Sequence, residues 1–282
     1  MKTIVLSCCL IGFVVGPLVG SLAAQQDTLT EDRELVAAEE APNEVGDLAK
    51  KSQNPVGDLA SLPLQNNTTF GFGPGDEVKN VLNIQPVYPV HLGERWNLIN
   101  RVILPVVYQP EILPGQGGTW GLGDTSYTAF FSPRKPSKLI WGAGPVFSIP
   151  TATDIRVGPG EWAAGPSVVL LTMKGSWVVG TLFSNVWSFD SEANINFFFG
   201  QIFANYNMKG GWFLTSAPIF TANWEAPSDE RWTVPLGGGI GRVFKIGKQA
   251  VNSSGQIFYN VEKPALQGDW VFRFQFTFLF PK

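Results

Sequence analysis

The chain ends on a stretch that few folds can accommodate. Between Trp270 and Phe280, Phe272, Phe274, Phe276, Phe278 and Phe280 take alternate positions, with Arg273, Gln275 and Thr277 among the residues between them. Successive side chains of a strand point to opposite faces. One face is therefore continuous aromatic surface, and the other carries a charge and two hydrogen-bonding groups. A soluble sheet would bury the phenylalanine face in a core. A transmembrane barrel would turn it to lipid and place Arg273 and Gln275 in the lumen.

The rest of the chain repeats the strand pattern. Twelve candidate strands follow one another at about 64–72, 79–91, 95–109, 122–132, 138–152, 162–173, 176–189, 194–208, 211–224, 232–246, 249–262 and 269–280. Many reach the 9–11 residues that a tilted membrane strand needs. Short turns at Gly93-Glu94, Arg134 to Ser137, Lys174-Gly175, Lys209-Gly210 and Gly247-Lys248 alternate with longer loops at about 73–78, 110–121, 153–161, 190–193, 225–231 and 263–268. That alternation predicts an all-β fold, an antiparallel up-and-down transmembrane β-barrel of about twelve strands, with both barrel ends of the chain on the periplasmic side.

Tryptophan placement separates the two readings of the last strand. Trp96, Trp141, Trp177 and Trp212 closely follow short turns, whereas Trp162, Trp187, Trp224, Trp232 and Trp270 sit where strands meet long loops. An indole is apolar with one N–H that wants a polar partner, so it prefers a membrane interface. A sandwich core would gather these residues at mid-strand, whereas two bands predict aromatic girdles. Only 15% of residues are charged and the net charge is −3, so the basic footprint of a nucleic-acid binder is missing. The strand prolines Pro86, Pro89, Pro105, Pro145, Pro166, Pro218 and Pro235 run against a closed barrel, because each removes a ladder donor. With Gly142, Gly144, Gly165 and Gly237 to Gly239 nearby, they predict bulged or bent strands.

Ahead of the barrel, residues 1–24 read as a cleaved signal peptide: Lys2, an apolar run from Ile4 to Val19, then Ser21-Leu22-Ala23. Both cysteines, Cys8 and Cys9, lie inside it, so the mature chain has no thiol chemistry. Residues 25–60 form an acidic leader without aromatics, and 61–282 the barrel. Within the leader Val45-Gly46-Asp47-Leu48-Ala49 recurs as Val56-Gly57-Asp58-Leu59-Ala60. A short helix is expected near 45–52 and a turn at Asn54-Pro55. The repeat is either chance similarity or a segment that tucks into the barrel mouth.

With Trp and Phe marking lipid, the other parity lines the lumen. It contains Asn83, Gln85, Asn97, Arg101, Thr215, Thr221, Asn223, Asn252, Ser254, Gln256, Asn260, Glu262, Arg273, Gln275 and Thr277. Charges of both signs, Arg101 and Arg273 against Glu262, fit either a filled lumen or a narrow channel. No enzyme is expected. The one histidine, His91, sits at a short turn, away from the lipid-accessible outer end where a Ser–His pair would act. No metal set and no cofactor motif is present. The loop acids Asp229-Glu230 and Ser191-Glu192 are either simply solvated or in cation-bridged contact with lipopolysaccharide.

Several stretches carry a family resemblance: Gln53-Asn54-Pro55-Val56-Gly57-Asp58-Leu59 with Gln65-Asn66-Asn67, Asn83-Ile84-Gln85-Pro86, Leu139-Ile140-Trp141-Gly142-Ala143-Gly144-Pro145, Asn223-Trp224, and Trp232-Thr233-Val234-Pro235-Leu236-Gly237-Gly238-Gly239. Over about residues 50–282 the chain resembles a group of bacterial outer-membrane proteins known as transporters, some under the label "neuromedin U". More distantly it resembles barrels of the phenol meta-degradation type, thought to admit hydrophobic compounds. The resemblance implies an outer-membrane barrel, with no catalytic residues to carry over. The expected function is a passive channel or transporter for small molecules, hydrophobic ones included; the alternative is an envelope-integrity barrel with a filled lumen. Expected partners are outer-membrane lipid, lipopolysaccharide, a small solute and the barrel-assembly machinery. That machinery reads C-terminal aromatic alternation, although Pro281 and Lys282 follow Phe280 here.

Overall fold

The structure is a computed structural model that describes residues 45–113, 115–135, 137–189 and 194–281. The expected signal peptide, most of the acidic leader and the pair Ser191-Glu192 lie outside these residues. A helix over 45–52 comes first, then a turn through Asn54 and Pro55. The strands are β1 (Ala60–Phe72), β2 (Glu77–Ile84), β3 (Val87–Leu92), β4 (Trp96–Gln109), β5 (Thr119–Leu122), β6 (Thr125–Pro133), β7 (Ile140–Ile149), β8 (Ala163–Lys174), β9 (Trp177–Ser188), β10 (Asn196–Asn207), β11 (Trp212–Ser216), β12 (Ile219–Asn223), β13 (Trp232–Ile246), β14 (Gln249–Glu262) and β15 (Trp270–Phe280). Three pairs, β2/β3, β5/β6 and β11/β12, are single staves broken in two. The fifteen strands therefore form the twelve antiparallel staves of a closed barrel. The ring closes where β1 pairs β15, from Ala60 opposite Phe280 to Phe70 opposite Trp270.

Directly opposed residues in a ladder share a face, so the registers fix what points where. On β15, Arg273 opposes Gln256 and Asn67, and Gln275 opposes Ser254 and Gln65; these point inward. Phe272, Phe274 and Phe280 are exposed on the outside. The exterior also exposes Leu170, Ile202, Leu214, Leu236, Ile240 and Ile257. A continuous apolar exterior of this kind is what a bilayer-spanning barrel presents. One polar cluster interrupts it: Asn66, Thr68 and Asn80 bond to one another, with Asn66 Nδ2 donating to Asn80 Oδ1 at 2.9 Å. The expected long loop after β1 is only a four-residue turn, 73–76, closed by Gly73 and Asp76 in positive-φ conformations.

The staves expected to be continuous at 79–91, 122–132 and 211–224 are the broken ones. Two breaks fall at Gln85-Pro86 and Ala217-Pro218, where proline supplies no donor. The third falls at Gly123-Asp124. Pro105, Pro145, Pro166 and Pro235 stay inside strands, with Pro145 directly opposite Pro166 and a bulge at Val234/Pro235. Gly144 must be glycine, since a Cβ there would collide with the Ala129 carbonyl oxygen of the neighbouring strand.

Candidate functional site

The interior is occupied from one end by the chain itself. On the helix, Leu48 and Ala49 are buried in an apolar cluster with Leu59, Phe213, Val243, Ala250 and Leu279, and Val45 packs against it. Val56, just past the turn, enters a second cluster on the other side of the ring with Ile99, Phe130, Val169, Leu171, Val178, Leu182 and Phe203. The apolar residues of the repeated Val-Gly-Asp-Leu-Ala motif are thus the anchors of a plug spanning the lumen. Only the first copy is helical. The second runs through a turn in which Asn54 Oδ1 accepts from Val56 N at 3.0 Å. Polar contacts fix the plug's height. Gln53 and Asn207 exchange reciprocal amide hydrogen bonds of 3.0 Å, and Asn252 Nδ2 donates to Ser52 Oγ at 3.0 Å. Asp58 lies 2.7 Å from His91 Nε2 beside the first turn at this end. His91 is therefore tied to the plug's exit segment.

Above the plug, the staves are stitched from inside at their breaks. Ala217 N donates to Gln256 Oε1 at 3.1 Å; its carbonyl accepts from Gln201 Nε2 at 3.3 Å and from Arg273 Nη1 at 2.7 Å. Arg273 Nε also donates to Asn67 Oδ1 at 2.8 Å, and the guanidinium lies 4.8 Å from the Phe258 ring centre. At the other proline break, Gln85 N donates to Pro63 O at 2.9 Å, and Gln85 Oε1 accepts from Arg101 Nη2 at 3.0 Å. A backbone group freed by proline cannot find water in a membrane; at Ala217 lumen-facing side chains take its place, and at Gln85-Pro86 neighbouring strand backbone does. The Gly123-Asp124 break serves the loop side. Asp124 Oδ1 accepts from Thr151 N and Ala152 N, and Oδ2 from Gly160 N, all at 2.9–3.1 Å, which pins the loop 150–162. In that loop, the Arg156 hydrogen bonds hold the Asp154 carboxyl well below the usual carboxylate range.

A cavity of about 190 Å³ remains between plug and wall. Of the residues expected to line the lumen, it gathers Gln85, Arg101, Gln256 and Gln275, together with Thr215, Asn252 and Ser254. Asn83, Asn97, Thr221, Asn260 and Thr277 share the inward parity but lie elsewhere along the wall. Asn260 Nδ2 donates to Gly268 O at 2.6 Å near the loops. Two assignments need correction. Glu262 is exposed and opposes Val234, because the bulge at Val234/Pro235 places two residues against one and turns Glu262 to the other face. Asn223 is exposed at a loop end, where its Oδ1 accepts from Glu225 N at 3.2 Å. Consequently the inner charges are not balanced: Arg101, Arg273 and Lys79 form no ion pair among the described residues.

Sequence parity missed Gln65, Gln201 and Asn205 on the cavity wall. On β10 the aromatic rule has no purchase, since Phe197, Phe198 and Phe199 are consecutive, and Phe203 faces the plug. The tryptophans all sit at strand ends. Trp96 packs on Trp141 at 5.9 Å, and Trp177 on Tyr206 at 4.9 Å, at the plug end. Trp224 packs on Trp232 at 5.4 Å, and Trp270 on Tyr259 at 4.9 Å, at the loop end. Trp212 lies 5.1 Å from the Arg242 guanidinium, and Trp162 and Trp187 are exposed.

No protein-family model matches the sequence, and a search among curated proteins finds no match. Solved structures do match. The chain is similar to the crystal structure of an outer-membrane channel from Pseudomonas putida F1, with a TM-score of 0.61 and 18% identity over 79% of this chain and 94% of that one. Two further barrels align more loosely. A FadL homologue from Pseudomonas aeruginosa gives a TM-score of 0.43 at 9% identity, over 80% of this chain and 92% of that one. Outer membrane phospholipase A from Escherichia coli gives 0.43 at 11%, over 80% and 90%. Identity this low speaks of fold and leaves activity open. The particular family label suggested by the sequence stretches finds no support here, while the outer-membrane barrel fold that they implied is the fold observed.

Proposed function

We propose that the protein is an outer-membrane channel for small solutes, apolar ones included, held shut at rest by its own plug. The observation that carries this reading is the cavity left between plug and wall, where amides and apolar side chains share one surface. The plug is held partly by hydrogen bonds, the Gln53–Asn207 pair and the Ser52–Asn252 bond. These contribute about 1 kcal/mol each, on top of the two apolar clusters that seat the plug. Export by the signal peptide, seating in the outer membrane among lipopolysaccharide, and delivery by the barrel-assembly machinery complete the reading.

Planar-bilayer conductance and liposome swelling test it. The double variant Ser52→Ala/Gln53→Ala is expected to raise open-channel occupancy at least about tenfold over the wild type. If neither protein passes any ion or solute, the channel reading falls. A second reading then takes its place, a structural barrel with a filled lumen, which the two apolar clusters around the plug favour. Under it, loss of the protein alters detergent sensitivity and no uptake rate.

A further inference from the structure

Arg101 and Arg273 look equivalent in the sequence, but the structure separates them. Arg273 spends its guanidinium on the wall, with donors to Asn67 and Ala217 and its face toward Phe258. Arg101 makes one hydrogen bond, from Nη2 to Gln85 Oε1 at 3.0 Å, and forms no ion pair among the described residues. A guanidinium carries five N–H donors, so most of its capacity is unused. Those donors are not sealed away. Among the described residues the buried side-chain polar atoms without a partner are Asn97 Oδ1, Arg231 Nε and Asn260 Oδ1, and none belongs to Arg101. Arg101 lines the cavity, as does Lys51 from the plug, and among the described residues no aspartate or glutamate does.

We propose that this cavity is a binding site for a small organic anion, a monocarboxylate with a compact apolar body, held by Arg101 with Lys51 as a second cation. An uncompensated charge at membrane depth is costly and marks the path of a ligand that compensates it. The planar fork of a guanidinium matches the two oxygens of a carboxylate. Leu182, Phe203 and Phe213 on the same lining supply the surface for an apolar body. At about 190 Å³ the space is below the roughly 300–1,000 Å³ of sites for drug-sized ligands, which limits the occupant to about one ring or a short chain. Because Lys51 belongs to the plug and Arg101 to the wall, the bound anion lies against both parts. The inference deepens the channel reading and rests on it for the route by which the anion arrives, but binding itself is measured without flux.

Isothermal titration of the detergent-solubilised full chain with benzoate, benzyl alcohol and inorganic phosphate is the test. The expected result is saturable binding of about one benzoate per barrel, with benzyl alcohol and phosphate at least about tenfold weaker. Arg101→Gln should weaken benzoate about tenfold or more, and Lys51→Gln by a smaller factor. Lys51 is exposed, so its variant keeps the fold and remains informative if Arg101→Gln does not assemble. Absence of saturable benzoate binding by the wild type overturns the proposal. So does a folded Arg101→Gln barrel with wild-type affinity, or benzyl alcohol or phosphate matching benzoate. A barrel that binds benzoate yet passes nothing refutes the channel and keeps the site; one that conducts ions but ignores benzoate does the reverse.

Discussion

Arg273 shows how one side chain can hold a wall together. Its Nη1 crosses the lumen to the carbonyl of Ala217, the residue before Pro218, and its Nε holds Asn67 on the adjoining strand. In Arg273→Ala both acceptors lose a charged donor at membrane depth. The expected loss is about 3 kcal/mol, read as a lower urea midpoint of tryptophan fluorescence in lipid vesicles. Arg273→Lys should recover only part of it, because an ammonium has no fork to reach two separated acceptors. A midpoint unchanged in Arg273→Ala would remove the stitching role. The inward direction of Arg273 was legible from the phenylalanine alternation around it. Its partner was not, because Ala217 carries no polar side chain and lies far away in the chain. Glu262 was misread for a related reason: a single bulge reverses parity, and sequence alternation carries no mark of where a bulge falls.

At the scale of elements, the broken staves divide the work. The Ala217-Pro218 break turns backbone groups inward, and the Gly123-Asp124 break turns a carboxylate toward the loop 150–162. Asp124 accepts three backbone N–H groups of that loop, more than any other side chain there. Asp124→Ala should therefore release the loop while leaving the barrel folded, with faster limited proteolysis within 150–162 on intact cells and an unchanged heat-modifiable band. Equal cleavage rates would show that the loop is held by other contacts. The prolines announced bent strands in the sequence. Which of them would break a strand was not readable, since Pro86 and Pro218 do and Pro105, Pro145 and Pro166 do not. At Ala217 the groups taking over the freed backbone are Gln201, Gln256 and Arg273 from other strands, and such partners are a property of the closed ring. The plug helix is similar: the motif repeat was visible, but its two wall clusters draw on nine different strands.

At the scale of the molecule, β1 and β15 close the ring through eleven paired positions from Ala60–Phe280 to Phe70–Trp270. That seam joins the first strand to the last, so it is the most non-local pairing the fold contains and is expected to form late. The plug is continuous with β1. Leu48→Asp, which puts a charge into the apolar cluster around Phe213 and Leu279, should slow the appearance of the heat-modifiable form in a pulse–chase. Ser52→Ala/Gln53→Ala, which spares that cluster, should leave the rate alone. Equal rates for both variants would mean that the plug arrives after assembly. A segment tethered directly to the seam strand enters the lumen either as the seam closes or afterwards through the end of the ring at which it sits. The stretch of chain that fills the finished lumen is tied to the strand that closes the wall, so its sequence answers to two demands at once, a place inside the ring and a place beside the seam.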